Sequence, residues 1–235
     1  VVVPTYNESA TIREVVARLF DAAGDSVELL VVDDGSPDGT AAIIKELAAD
    51  RDDIHLLERS SKDGLGRAYI AGFGWAMTRD YDTLVEMDAD LSHDPASVMA
   101  LVRATEDADL AIGSRYIPGG RIENWGFIRR ALSRLGNLYT GFLLRHGVKD
   151  STSGFRAFRT STLRAQDLTE VASEGYAFQI EMARRIHRSG GTIVEVPITF
   201  VERVAGKSKM SHRIVVEALL GVTAWGIKDR LFRKP

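Results

Sequence analysis

The chain has 235 residues, 45% hydrophobic and 27% charged, the balance of a globular enzyme with enough mass for a sizeable core. It has no cysteine, which excludes disulfides, a thiol nucleophile and Cys-ligated zinc; its longest run without a charged side chain, Ala68 to Thr78, is 11 residues, against the roughly 20 apolar residues of a membrane-spanning helix. The net charge of -3 conceals an asymmetry, because residues 1–110 carry 9 Lys+Arg against 23 Asp+Glu while residues 111–235 carry 21 against 10, so the first half suits cations and the second suits phosphate or an anionic surface.

In chain order, β-branched runs at Val1 to Val3, Val27 to Asp33, Ile54 to Glu58, Thr83 to Asp88 and Asp109 to Ser114 read as strands. Between them Ala10 to Ala22, Thr40 to Ala49, Gly66 to Thr78 and Pro95 to Ala104 carry apolar residues at helical spacing. Val1 opens a strand without an initiating Met or a signal-peptide pattern, so the start is expected to be trimmed. The βαβα rhythm predicts a mostly parallel sheet with helices on both faces. Further on, Trp125 to Arg145 reads as a helix, Asp150 to Arg159 as a turn-rich stretch, Tyr176 to Arg188 as a helix ending at Gly190, Thr192 to Thr199 as a strand and His212 to Phe232 as a last helix. With no repeat or linker, the expectation is one domain over residues 1–211, followed by a C-terminal amphipathic helix over residues 212–235.

Ligands of such sheets collect at the carboxyl ends of the strands, and three motifs fall there. After the first strand, Pro4-Thr5-Tyr6-Asn7-Glu8 offers an aromatic face, backbone groups and a carboxylate for a base, or a plain turn in which Asn7 or Ser9 caps a helix. After the second, Asp34 suits a nucleobase or ribose, and Asp38 or Thr40 a helix cap. After the fourth, Asp88-Ala89-Asp90 sets two hard carboxylates beside Ser92 and His93, suited to Mg2+ or Mn2+ bridging to a substrate diphosphate. Dinucleotide and P-loop readings fail, since Gly64-Leu65-Gly66 lacks a third glycine in register and Gly206-Lys207-Ser208 has Val201 where the first glycine belongs. There is no Gly-x-Ser-x-Gly elbow or His-Glu-x-x-His zinc spacing, and His93, His146 and His187 read as surface or helix-end residues.

Taken in order, Pro4 to Glu8, Val31 to Gly39, Val85 to His93, Gly113-Ser114-Arg115-Tyr116, Ser153-Gly154-Phe155-Arg156, Gly175-Tyr176-Ala177-Phe178-Gln179 and Glu195-Val196-Pro197-Ile198 resemble the dolichol-phosphate (polyprenol-phosphate) mannose synthases. These are inverting family 2 glycosyltransferases, and the resemblance spans nearly the whole chain. It implies an α/β fold of GT-A (Rossmann-like) type, a mostly parallel sheet flanked by helices with a C-terminal amphipathic helix. It implies transfer of mannose from GDP-mannose to a polyprenyl (dolichyl) phosphate, with Mg2+ or Mn2+ as cofactor and no nucleic-acid partner. The enzyme is then expected to be cytoplasmic and peripheral, on the inner face of the plasma membrane, serving glycolipid biosynthesis. By the same resemblance Asp88, Asp90 and Arg115 are catalytic, and Asp88, Asp90 and Ser92 form the metal site, the last at a position where some relatives carry Gln. The nucleotide sugar falls to Pro4, Tyr6, Asn7, Glu8, Asp34, Lys62, Asp88, Ala89, Gln179 and Glu181, with Tyr176 beside the sugar. Arg115, Arg129, Arg203, Lys207 and Lys209 match the positions for donor and acceptor phosphates.

A phosphate monoester acceptor is already anionic near neutral pH, so positioning and charge stabilisation outweigh general-base catalysis, and direct displacement inverts the anomeric centre. The competing readings are a glucosyl- or aminoarabinosyl-type transferase with a uridine donor, a silent nucleotide-sugar-binding module and a membrane scaffold. Intact Asp88 and Asp90 argue against the second. The loop from Arg203 to Ser211 is expected to move and to close over both substrates, since Gly206 supplies freedom and Lys207 and Lys209 supply charge. In the last helix, Ile214, Val215, Ala218, Leu219, Val222, Trp225, Leu231 and Phe232 recur at helical spacing, with Trp225 and Phe232 expected at a headgroup boundary. Packing on its own domain fits the same pattern equally.

Overall fold

The computed structural model describes residues 1–202 and 212–231. The first half runs β1 (Val2–Thr5), α1 (Ile12–Ala23), β2 (Leu29–Asp33), α2 (Thr40–Ala49), β3 (Ile54–Glu58), α3 (Leu65–Met77), β4 (Thr83–Glu86), α4 (Val98–Ala104) and β5 (Leu110–Ser114). The second runs β6 (Arg121–Glu123), α5 (Phe127–Leu144), β7 (Arg156–Arg159), α6 (Thr160–Arg164), α7 (Gly175–Arg188), β8 (Ile193–Pro197), β9 (Thr199–Val201) and α8 (His212–Leu231). Seven strands form one sheet in the order β3-β2-β1-β4-β7-β5-β8, in which β7 is antiparallel to its neighbours and every other pair is parallel. This is the expected α/β architecture. The strand order reverses between β1 and β4, and the crevice outside the carboxyl ends of strands at such a switch point is where open α/β sheets hold ligands.

Successive side chains of a strand face opposite ways, which gives the sheet two cores. Val2 packs with Leu30, Val32, Tyr69, Phe73 and Phe178 beneath α3 and α7, whereas Val3 packs with Val31, Ile12, Leu19, Val85 and Phe155 beneath α1 and α4. The uncharged run from Ala68 to Thr78 is therefore a core helix, with Ala68, Tyr69, Phe73 and Ala76 all buried. Gly72 lets α3 lie so close that an added Cβ would stand 2.5 Å from Val2 Cγ1.

Two elements depart from the sequence expectation. The stretch read as turn-rich contains β7, inserted between β4 and β5, and Arg156 on it is completely buried. The guanidinium is satisfied by three carbonyls: Nε donates to Ser153 O (2.7 Å), Nη1 to Gln179 O (2.6 Å) and Nη2 to Ser151 O (2.7 Å). The strand expected from Thr192 to Thr199 breaks at Ile198. β8 stays in the main sheet, while β9 leaves to pair in parallel with β6 and meets the loop after β4, where Phe200 bridges His93 and Val201 N donates to Ser92 O (3.2 Å).

Helix α8 docks on α5 and α7. Val222 packs with Leu144 and Ile180, Tyr139 Oη meets Thr223 Oγ1 at 2.7 Å, and Asp229 accepts from Arg184 and Arg188. Of the apolar residues expected on one face, Ala218 and Val222 are buried and Trp225 turns inward, while Leu219 and Leu231 face out. The side chains of Ile214, Val215 and Phe232 lie outside the described residues. Among the described residues no helix is long and apolar enough to cross a membrane.

His146, expected near the surface, is instead buried; its Nδ1 accepts from Val148 N (3.1 Å) and its Nε2 lies 3.3 Å from Ser151 Oγ. Burial, with smaller contributions from His187 and Arg156, lowers its pKa from 6.5 to about 4. The folded state thus binds fewer protons than the unfolded chain between those values, so this contribution is present above pH 6.5 and is lost as pH falls towards 4. In urea unfolding at a series of pH values, the lead of wild type over His146→Asn should shrink across that interval by up to about 3 kcal/mol. A lead independent of pH would contradict the buried neutral imidazole.

Candidate active site at the switch point

β4 ends at Glu86, and the chain then turns through the acidic triplet. Asp88 keeps 35% of its side chain exposed, its Oδ1 lies 3.5 Å from Tyr69 Oη, and its backbone N–H donates to His93 Nδ1 at 3.2 Å. That bond assigns the imidazole proton to Nε2. His93 is buried, stacked on Phe155 (4.9 Å between centroids) and edge-on to Phe200 (5.5 Å), and burial lowers its pKa to about 4 against the pull of Asp90. The surface position expected for His93 is thus corrected: its imidazole is a neutral internal brace. Leu91 has φ 63°, a strained value for a branched side chain, and the turn it makes lets both Ser92 N and Ser92 Oγ donate to Asp90 Oδ1. In this structure the Ser92 hydroxyl donates to Asp90. The Ala89 side chain packs into the core, which leaves only its main chain to meet a ligand.

The ends of β1 and β2 are stitched together beside this loop. Thr5 Oγ1 and Ser36 Oγ both donate to Asp33 Oδ1 (2.8 and 2.6 Å), and Asn7, at φ 60°, donates its N–H to Ser36 Oγ (3.0 Å). Asp38 accepts from Ser9 N and from Thr40 N and Oγ1, and these bonds outweigh burial to hold its carboxyl at about 2. It ties the first loop to the start of α2, as a capping residue does. Asp34 is buried and pairs with Arg59 at 2.7 Å; burial raises its carboxyl and Arg59 opposes the shift. Lys62 Nζ sits 4.1 Å over the Tyr6 ring. Pro4 pairs in register with Val32, so Tyr6, Asn7, Glu8, Asp34 and Lys62 share one end of the sheet.

From the second half, Gly154 draws the remaining elements in. A Cβ added there would lie 3.6 Å from Gln179 Nε2, 3.9 Å from Asp88 Oδ1 and 3.9 Å from His93 Cε1. Gln179 is buried, and neither of its amide atoms makes a well-formed hydrogen bond, although Glu86 lies alongside. Glu181 is separated from this convergence. Residues two apart on a helix point roughly 200° apart, and Glu181 is held by Ser173 Oγ (2.6 Å) and Arg185 Nε (2.8 Å). Arg115 is 6% exposed and folded onto Asp150 through Nε and Nη2, and that pairing outweighs burial and keeps the guanidinium charged. Arg129 pairs with Glu202 at 2.6 Å and stacks 4.0 Å over Trp125. Arg203, Lys207 and Lys209, with the loop expected to close, lie outside the described residues.

Sequence reasoning missed Arg59, Asp150 and the buried roles of Arg156 and His93. Arg59 follows β3 at the same carboxyl end as the other motifs, so topology could have found it. Asp150 carries no local signal. Among the described residues no three acidic, His or Cys side chains are grouped to hold a metal.

A parallel-sheet switch point lined by such carboxylates, with a basic second half folding back on it, is the layout of a nucleotide-sugar transferase, and residues 1–165 match the model of glycosyl transferase family 2. The chain belongs to that family and is a glycosyltransferase. It is 51% identical to a polyprenol monophosphomannose synthase of Mycolicibacterium smegmatis over 99% of this chain and 88% of that protein. It is also 51% identical to an undecaprenyl-phosphate mannosyltransferase of Micrococcus luteus, over 97% of this chain and 94% of that one. Thus the likeness to polyprenol-phosphate mannose synthases holds along the chain. In fold it is similar to glucosyl-3-phosphoglycerate synthase from Mycobacterium tuberculosis, solved with Mn2+, UDP-glucose and phosphoglyceric acid (TM-score 0.68, 21% identity, 95% of this chain and 78% of that one). It is likewise similar to a mannosyltransferase from Pyrobaculum calidifontis in complex with GDP-Man and Mn2+ (TM-score 0.64, 20% identity, 97% of this chain and 63% of that one).

The brace at His93 is open to a direct test. His93→Phe keeps the stack with Phe155 and Phe200 but orphans the Asp88 N–H, and should cost about 1–3 kcal/mol in urea unfolding. Unchanged stability would mean that this hydrogen bond does not hold the loop.

Proposed function

We propose that this chain transfers mannose from GDP-mannose to a polyprenyl phosphate, with inversion, at the cytoplasmic face of the plasma membrane. The observation that carries this reading is the 51% identity, over 99% and 97% of the chain, to two enzymes named for polyprenol- and undecaprenyl-phosphate mannosyl transfer. The nucleotide lies across the ends of β1 and β2, with its base by Tyr6, Lys62 and the Asp34–Arg59 pair, and Gln179 faces the sugar. The two carboxylates Asp88 and Asp90 offer hard oxygen ligands at a strand end, one partly open, which fits Mg2+ or Mn2+ held jointly with a diphosphate. When bound, the ion supplies Lewis-acid neutralisation of the departing nucleoside diphosphate. Ser92 and His93 keep the two carboxylates aimed, and the arginines of the second half hold the acceptor phosphate, whose anionic oxygen needs no strong base.

The membrane reading rests on an inverted helix. α5 buries Asn137, Thr140 and, at its end, Leu144, and exposes Phe127 (84%), Ile128 (74%), Leu132 (65%), Leu135 (62%), Leu138 (69%) and Phe142 (70%). α8 beside it exposes Val216, Leu220, Ile227 and Leu231. A contiguous apolar surface of this kind marks an interaction site, and with exposed Arg130, Arg134, Lys228 and Arg230 on the same helices it fits an anionic lipid interface. The anchor is thus shared between α5 and the C-terminal helix.

A donor screen with GDP-mannose, UDP-glucose and UDP-N-acetylglucosamine against a short prenyl phosphate tests the reaction; preference for a uridine donor, or no transfer at all, would overturn it. Asp90→Asn, a neutral and weaker ligand, should remove most turnover with the fold intact, as should chelation of wild type. Activity that survives both excess EDTA and the substitution removes the metal from the mechanism. For the membrane, Leu135→Glu with Phe142→Glu should leave the thermal melt unchanged and weaken sedimentation with anionic liposomes at least tenfold, since each side chain gives up roughly 1.5–3 kcal/mol of burial in lipid. Equal binding would exclude this face.

A further inference from the structure

We infer that Asp150 is a positioning residue for Arg115, and that together with Thr152 and Asn137 it indexes the guanidinium to helix α5. This rests on the reading of Arg115 as a contact for the acceptor phosphate.

Asp150 is fully buried and accepts three hydrogen bonds from one residue: Arg115 N (2.9 Å), Nε (2.7 Å) and Nη2 (2.7 Å). A carboxylate that takes both the main-chain donor and one whole edge of the guanidinium leaves the side chain a single orientation. The main chain that carries this carboxylate is itself fixed from behind, because Lys149 N and Asp150 N donate to the two oxygens of Glu195 on β8 (2.9 and 3.0 Å). The rings of Tyr116, Trp125 and Phe200 surround the guanidinium at 5.5, 5.4 and 5.3 Å and block sideways movement. With Nε and Nη2 engaged, Nη1 is the edge left to face a ligand, and among the described residues it has no hydrogen-bond partner.

The connection to α5 runs through one oxygen. Thr152 Oγ1 receives Arg115 Nη2 (3.0 Å) and Asn137 Nδ2 (3.1 Å), and Asn137 stands on the buried side of the helix whose other side is the apolar stripe. The helix proposed to rest on lipid and the cation proposed to meet a lipid-linked phosphate are therefore bolted together two hydrogen bonds apart. Such pre-organisation acts on acceptor binding and alignment, and the donor side of the crevice, built from β1, β2 and β4, is untouched by it.

The test compares Arg115→Ala, Asp150→Asn, their double variant, and Thr152→Val with Thr152→Ser as its rescue, using GDP-mannose and a short water-soluble prenyl phosphate. Asp150→Asn should raise the KM for prenyl phosphate about tenfold or more and leave that for the donor within about twofold. The double variant should be no worse than Arg115→Ala alone. Thr152→Val should raise the acceptor KM several-fold and Thr152→Ser should restore it, and this pair decides alone if Asp150→Asn fails to fold. Multiplicative losses in the double variant, or an unchanged acceptor KM in Thr152→Val beside an active wild type, overturn the inference only. A wild-type chain inert toward prenyl phosphate with every nucleotide sugar overturns the functional reading and the inference with it.

Discussion

A guanidinium taken out of water must find acceptors for its donors, and at Arg156 that requirement organises the centre of the molecule. Its three acceptors, the carbonyls of Ser151, Ser153 and Gln179, come from the loop before β7 and from α7, so one side chain locks sheet, loop and helix together. Everything that the second half contributes to the crevice hangs on that lock. It sets Gly154 beside Asp88 and His93, turns Gln179 towards the same point, and carries the segment on which Asp150 meets Arg115. Glu86, opposite Arg156 in register, is fully buried, and burial pushes its carboxyl up to about 8 against the attraction of the guanidinium. The floor of the site is thus a cation held mainly by backbone dipoles, directly beneath a loop of carboxylates.

The charge asymmetry along the chain becomes a juxtaposition in space. The acidic first half delivers Asp34, Asp88 and Asp90 to the ends of β2 and β4, and the basic second half returns through β5 and α5 with Arg115 and Arg129. His93 is where the two meet. It accepts from Asp88 on one side and packs against Phe200 on the other, and Phe200 in turn lies against Trp125. A neutral imidazole serves there because burial without a full set of hydrogen-bond partners penalises the charged form. β9, which carries Phe200, also takes the Ser92 carbonyl, so the aim of the carboxylates is coupled to the stretch that leads into residues 203–211.

The sheet was legible because buried parallel strands read as β-branched runs, and the location of the site was legible because ligand-binding ends follow from topology alone. β7 was not. Arg156-Ala157-Phe158-Arg159 looks polar, and nothing local reveals that one arginine will find backbone carbonyls at the centre of a sheet. The pairing of Arg115 with Asp150 spans 35 residues, and the burial of His93 and His146 depends on elements that arrive later in the chain. Glu181 is a different case: its phase relative to Gln179 on one helix was available in the spacing.

Amphipathicity alone cannot say whether an apolar stripe meets a core or a membrane, and α5 shows what resolves the question. Two of its hydrogen-bonding side chains, Asn137 and Thr140, turn inward along with Leu144, and Thr140 returns its hydroxyl proton to Gly136 O at 2.9 Å. Only Leu143 and Leu144, at the end of the helix, pack inward, so the exposed leucines and phenylalanines gain nothing from burial in water, and an apolar surface beyond the chain would stabilise them. α8 shows the complementary division, because Val222 and Trp225 are used internally and only part of its stripe remains outside. The proposed interface is therefore drawn by what the interior declines as well as by what the surface displays, and Asn137 lies on the side of α5 that leads inward to Thr152 and Arg115.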